Sequence, residues 1–125
     1  MIIDTDVLIW YLRGNERARI AVEANLPFSI SAVTYIELLQ GMKDKDECRR
    51  FQKQLHRWGI TVMHIDTDIS SRALFYLQEY VLSHSMRMGD ALIAATVVQS
   101  AETLLTANDR HYRFIPGFEC ERFEP

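Results

Sequence analysis

The chain has 125 residues, 48% of them hydrophobic, enough for one globular domain, 1–125, with a core of its own. Its 14 basic and 17 acidic residues leave a net charge of −3, so no bulk basic field is present and any contact with nucleic acid must come from local patches. The apolar run Ala91 to Val98 falls far short of the roughly 20 residues of a membrane helix. The acid at position 4 argues against a signal peptide, and Cys48 and Cys120 have neither metal-site spacing nor a disulfide pattern. A compact, soluble protein of the reducing cytoplasm is expected, without repeats, linkers or low-complexity segments.

Ile2-Ile3 reads as a first strand, short and apolar enough to be central. A helix over Asp6–Arg13 stops at Gly14, and a second follows over Asn15–Ala24 with Asn15 as its N-cap. Pro27–Ile30 reads as a strand, and Ser31 opens a helix through Leu39 that ends at Gly41. Asp44–Trp58 is strongly amphipathic, with Cys48, Phe51, Leu55 and Trp58 on one face and Arg49, Arg50, Lys53 and Arg57 on another. Gly59 ends it, and Ile60–Ile65 is a strand. Thr67 or Asp68 caps the next helix, which runs to about Ser83 with Ile69, Ala73, Leu77 and Tyr80 inward. Gly89-Asp90 starts a helix to about Ser100, and Thr103–Thr106 is another strand. Asp109–Tyr112 then forms a turn or short helix, and Gly117–Cys120 a last short strand. This alternation predicts an α/β fold in three layers, helices on both faces of a mainly parallel sheet of four to five strands.

In such a sheet the strand C-termini share one edge, where open α/β folds bind their ligands. Asp4 and Asp109 follow strands directly, while Glu37 and Asp90 are placed in the first turns of helices. The simpler reading treats each acid as a helix cap, and Thr34-Tyr35-Ile36-Glu37 is formally a capping box. Their surroundings point elsewhere: Asp4 follows Ile3, Glu37 lies between Ile36 and Leu38, and Asp90 precedes Ala91-Leu92-Ile93-Ala94-Ala95. Carboxylates converging among apolar residues repel one another and raise their own pKa values. A divalent cation relieves that repulsion, and Mg²⁺, a hard ion that takes one or two carboxylates and keeps several waters, suits the pattern. The chemistry expected is metal-assisted attack on a phosphodiester, with Glu37 free to orient or deprotonate the attacking water.

Four stretches carry a resemblance: Ile2-Ile3-Asp4-Thr5-Asp6-Val7-Leu8-Ile9, Ser31 to Gly41, Met88-Gly89-Asp90 through Thr96, and Leu104-Leu105-Thr106-Ala107-Asn108-Asp109-Arg110-His111-Tyr112. In order and spacing they resemble the PIN-domain ribonucleases, and within them the VapC toxins of toxin–antitoxin pairs. The resemblance implies a Mg²⁺- or Mn²⁺-dependent endoribonuclease with Asp4, Glu37 and Asp90 as its acidic core, Asp4 and Asp90 holding the metal. It also implies a homodimer and inhibition by a small cognate antitoxin (VapB-like) that inserts a segment near the acidic pocket. The family's fourth acid usually stands two residues after the strand's Thr, a place occupied here by Asn108 with Asp109 next; the resemblance then implies that Asp109 swings in as a fourth catalytic acid, the favoured reading, or that Asn108 orients water and the site works with three acids. Thr5, Asp6 and Thr106 are expected to orient ligands by hydrogen bonds, with Asp6 alternatively the N-cap of the first helix.

RNA needs phosphate contacts to offset these acids. The stripe Arg49, Arg50, Lys53 and Arg57 is the first candidate, with Arg87, Arg110 and Arg113 nearer the acids in sequence and a solvated helix face as the simpler reading. His56, His64, His84 and His111 lack metal spacing and read as structural or exposed. The apolar helix Val7–Leu12 reads as a core helix with some surface left for an antitoxin or a second protomer. Two alternatives compete: a PIN-like module that binds RNA or protein without catalysis, and a haloacid-dehalogenase-type phosphatase with Asp4 as nucleophile and Asp6 as acid/base. The second wants a later acid where this chain has Ala94.

Overall fold

A computed structural model describes residues 1–125. Five short strands, β1 (Ile2–Ile3), β2 (Ser29–Ser31), β3 (Thr61–Met63), β4 (Leu104–Thr106) and β5 (Cys120–Arg122), form one sheet in the order β3-β2-β1-β4-β5. Every pairing is parallel, Ile2 lying opposite both Ser29 and Leu104. Six helices connect them: α1 (Thr5–Leu12), α2 (Glu16–Ala24), α3 (Ala32–Gln40), α4 (Lys45–Trp58), α5 (Thr67–His84) and α6 (Met88–Gln99).

The two-residue period of the strands divides the core in two. Ile2 and Leu104 point into one layer with Ile69, Ala73 and Tyr76 of α5 and Ala91, Ala94 and Ala95 of α6. Their neighbours Ile3 and Leu105 point into the other, with Val7 and Leu8 of α1, Val22 of α2 and Phe51 and Leu55 of α4. Helix α6 is buried from Ile93 through Val97, which its run of small residues permits. The amphipathic α4 behaves as its pattern requires, Phe51 and Leu55 inward and its basic residues in solvent.

Local capping chemistry departs from expectation in several places. Asp4, not Asp6, is the N-cap of α1, and Asp66 rather than Thr67 or Asp68 caps α5, accepting from the Ile69 amide at 2.8 Å. The capping box at Thr34 and Glu37 does not form. Ser31 is the N-cap of α3 and accepts from the Val33 amide, which places Glu37 in the second turn rather than the first. The last strand begins where it was expected to end, since the Gly117 turn (φ +72°) carries the chain round before pairing starts at Cys120.

The chain runs β1, β2, β3 to one side of the sheet, then crosses to β4 on the other side of β1. The crevice between the C-terminal ends of β1 and β4 is therefore the switch point, where such sheets hold ligands. Truncating Phe51 to Ala should lower unfolding stability by about 3–5 kcal/mol. Lys53→Ala on the opposite face should change it by less than about 0.5 kcal/mol. Urea titration followed by circular dichroism checks both.

Candidate active site

At that crevice Asp4 ends β1 and is only 6% exposed. Its Oδ2 accepts two hydroxyl hydrogen bonds, from Thr106 Oγ1 at 2.8 Å and from the Tyr112 phenol at 3.2 Å. Its Oδ1 accepts from the Thr5 amide at 2.8 Å. A carboxylate oxygen offers about two lone pairs, so Oδ2 is filled and Oδ1 keeps one for a further partner. Thr106 is itself held, accepting from the Asn108 amide at 3.0 Å.

Asp6, in the first turn of α1, leans against the end of β4. Its Oδ2 accepts from the Ala107 amide at 3.1 Å and from Asn108 Nδ2 at 2.7 Å, while its Oδ1 is buried with no partner. Burial, reinforced by the charge of Asp6, pushes the Asp4 carboxyl up to about 7 against the pull of its three donors. Burial also raises Asp6, opposed by its amide and Asn108 hydrogen bonds and by His111. The Tyr112 hydroxyl is held well above its ordinary range, first by burial and then by Asp4, Asp90 and Asp6, so three carboxylates act on one phenol.

Glu37 reaches the same place from α3. It accepts a hydrogen bond of 2.8 Å from the Thr5 hydroxyl, which stands 3.0 Å from the buried Thr34 hydroxyl. Gly89, at the start of α6, lies so close that a Cβ there would meet Glu37 Oε2 at 3.6 Å. The next residue, Asp90, is 23% exposed at its side chain and faces His111 Nδ1 at 3.9 Å. Arg87 caps α6 without a side-chain bond, so Asp90 is free of capping duty. A cleft of about 570 Å³, lined by Glu37, Asp90, His111, Arg87, Arg110 and His84 among others, opens over these groups.

The sequence-predicted residues thus divide. Asp4, Thr5, Asp6, Glu37, Thr106 and Asn108 are joined by hydrogen bonds, and Asp90 adjoins them through Gly89 and His111. Of the two candidates after β4, Asn108 bonds into the cluster, whereas the charge of Asp109 bears on the Cys120 thiol and helps raise it after burial. The basic stripe of α4 lines a separate shallow surface with Gln52 and His56. Arg87 and Arg110 are the cations of the acidic cleft. His111, which the sequence suggests is structural or exposed, and Tyr112, to which it assigns no role, both reach the site from the short helical turn after β4.

A divalent cation fits this donor set. The buried Asp4 and the half-buried Asp6 repel one another without a lysine or arginine partner, one oxygen of Asp6 has no hydrogen-bond partner and one lone pair of Asp4 is spare. No three His, Cys, Asp or Glu side chains converge as a closed cage, which is unlike a structural zinc site. A hydrated ion such as Mg²⁺ asks for fewer protein ligands. Without metal, the raised Asp4 carboxyl should cost stability as pH rises from about 4 through 7, because the folded state holds its proton more tightly than the unfolded chain. Thermal melts in chelator should therefore show a declining Tm over that window, and Asp4→Asn should flatten the decline by at least about 1 kcal/mol.

Residues 1–115 match the family model for the PIN domain. The chain is 33% identical over 123 residues to Ribonuclease VapC10 of Mycobacterium tuberculosis, covering 95% of this chain and 88% of that one. Its fold superposes on a chain of a toxin-antitoxin complex from Klebsiella pneumoniae with a TM-score of 0.79, 30% identity and coverage of 94% and 93%. It superposes on a chain of VapBC-1 from nontypeable Haemophilus influenzae with a TM-score of 0.78 at 18% identity, covering 97% and 96%, a likeness of fold alone. With a family model spanning nearly its whole length and a VapC relative aligned end to end, this chain belongs to the PIN-domain family.

Proposed function

We propose that this protein is a VapC-type toxin, an endoribonuclease that hydrolyses RNA phosphodiester bonds with the help of Mg²⁺ or Mn²⁺. The observation that carries the reading is the crowding of the buried Asp4 and the half-buried Asp6, neither paired with a lysine or arginine, beside Glu37 and Asp90 at the sheet's switch point. Asp4 and Asp90 would hold the ion. When bound, the metal lowers the pKa of a water and neutralises phosphate charge.

The chain's own residues supply the rest. Thr106, Tyr112 and the Thr5 amide fix Asp4 and leave it one spare lone pair, on Oδ1. The Thr5 hydroxyl turns Glu37, leaving its Oε2 to orient or deprotonate the attacking water. Asn108, rather than Asp109, completes the set by holding Asp6. Arg87 and Arg110 offer charge-assisted contacts to the phosphates flanking the cut. A phosphatase role for Asp6 is disfavoured, because its only bonded oxygen is occupied by Ala107 and Asn108 and the other is enclosed.

Partners follow the same reading. The solved relatives are toxin–antitoxin complexes, and a second groove of about 510 Å³ reaches from Glu37 along Ile9, Leu12, Leu38 and Met42, a partly apolar lining suited to an antitoxin segment. A homodimer would bury the apolar face of α5, where Leu74, Phe75, Val81 and Leu82 are exposed, Leu82 at 96%. The free thiols Cys48 and Cys120 suit a reducing cytoplasm.

Asp4→Asn and Asp90→Asn should each lower RNA cleavage by at least about a hundredfold while the protein stays folded. Chelator should silence the wild type and Mn²⁺ or Mg²⁺ restore it. Full cleavage by either variant, or in chelator, refutes the metal-site reading, and RNA binding without cleavage by the wild type would favour the non-catalytic module. Leu82→Asp should convert a dimer to a monomer in sedimentation velocity.

A further inference from the structure

One residue lining the acidic cleft, His84, sits on an aromatic stack that has no part in the chemistry above. His84, the last residue of α5, lies flat on Phe114, with ring centroids 4.1 Å apart and planes 21° from parallel. Tyr80, one turn earlier, meets the His84 ring edge-on at 5.7 Å and packs on Phe114 at 4.8 Å. The Ser83 hydroxyl is 2.8 Å from His84 Nδ1 and fixes the rotation of the ring. Tyr80 and Phe114 are both packed against the α5–α6 core, so the stack has a rigid base. Yet His84 remains exposed and lines the same cleft as Asp90, Glu37, Arg87 and Arg110.

A flat ring supported on one face and open to solvent beside two cations is the arrangement that single-stranded nucleic acid uses: stacking for a base, guanidinium for its phosphates. The simpler explanation, a surface histidine at a helix end, accounts for exposure. It does not account for a ring pinned on three sides at the mouth of an acidic cleft. We infer that His84, backed by Phe114 and Tyr80, is a stacking platform for one unpaired base of the RNA adjacent to the scissile phosphate. The inference rests on the nuclease reading and adds a subsite to it. Because every base presents a π-face, the platform selects for an unstacked nucleotide, not for a sequence, and so favours loops and single strands over duplex.

The test uses binding in chelator, where cleavage does not interfere. A short fluorescent single-stranded RNA is titrated with the wild type, His84→Ala and His84→Phe, and each titration is repeated with an RNA carrying one abasic position. His84→Ala should weaken binding about tenfold or more, and His84→Phe should restore it to within about threefold of the wild type. The abasic RNA should bind the wild type less well by a similar factor, and His84→Ala should then add little, because both remove the same stack. Equal binding by the wild type and His84→Ala, or fully additive losses, overturns the platform while leaving the nuclease reading intact. If the wild type neither binds nor cleaves RNA, the nuclease reading itself falls.

Discussion

Asp4 is a carboxylate placed where a carboxylate is costly, and much of the local structure exists to hold it there. Two hydroxyls and an amide bond to it, yet burial and the nearby charge of Asp6 still push its proton affinity up to about 7. A structural cap would not need this. A cap on an exposed helix end works with a single amide donor, as Asp44 and Asp66 do in this same chain. The cluster around Asp4 is a store of unneutralised negative charge, kept rigid by residues from β4 and the turn after it.

The fold makes such a store possible by geometry alone. Parallel strands bring the ends of β1, β2 and β4 to one edge, and the reversal of direction beside β1 leaves a crevice between helices. Helix α6 can approach this crevice because of its small residues, and Gly89 brings the α6 backbone against Glu37. Arg87, Arg110 and the His84 stack then line the rim. Carboxylates, two cations and a flat ring thus line one cleft, a mixture that suits a polyanion carrying bases.

The elements and the acids were readable from the chain because their signals are local. Ile2-Ile3 and Leu104-Leu105 announce buried strands, Phe51 and Leu55 recur at helical spacing, and Asp4 and Asp90 stand out against apolar neighbours. Partnerships between distant residues were not readable. Nothing local tells that the Tyr112 phenol reaches Asp4, or that Asn108 bonds Asp6, across more than a hundred positions. The apparent capping box failed for a related reason: Ser31 had already taken the cap, and the Thr5 hydroxyl from another helix claimed Glu37. His111 and His84 were passed over because a histidine shows its role only through what stands beside it.

The central position of β1 has a temporal consequence. Its acid precedes Thr106 and Tyr112, which hold it, by more than a hundred positions. Contacts of such long sequence separation close late in folding. A nascent chain that stops before α6 would therefore carry Asp4, Asp6 and Glu37 without Asp90 or the Thr106 and Tyr112 hydroxyls. The acidic crevice can assemble only once the turn after β4 has closed back onto β1.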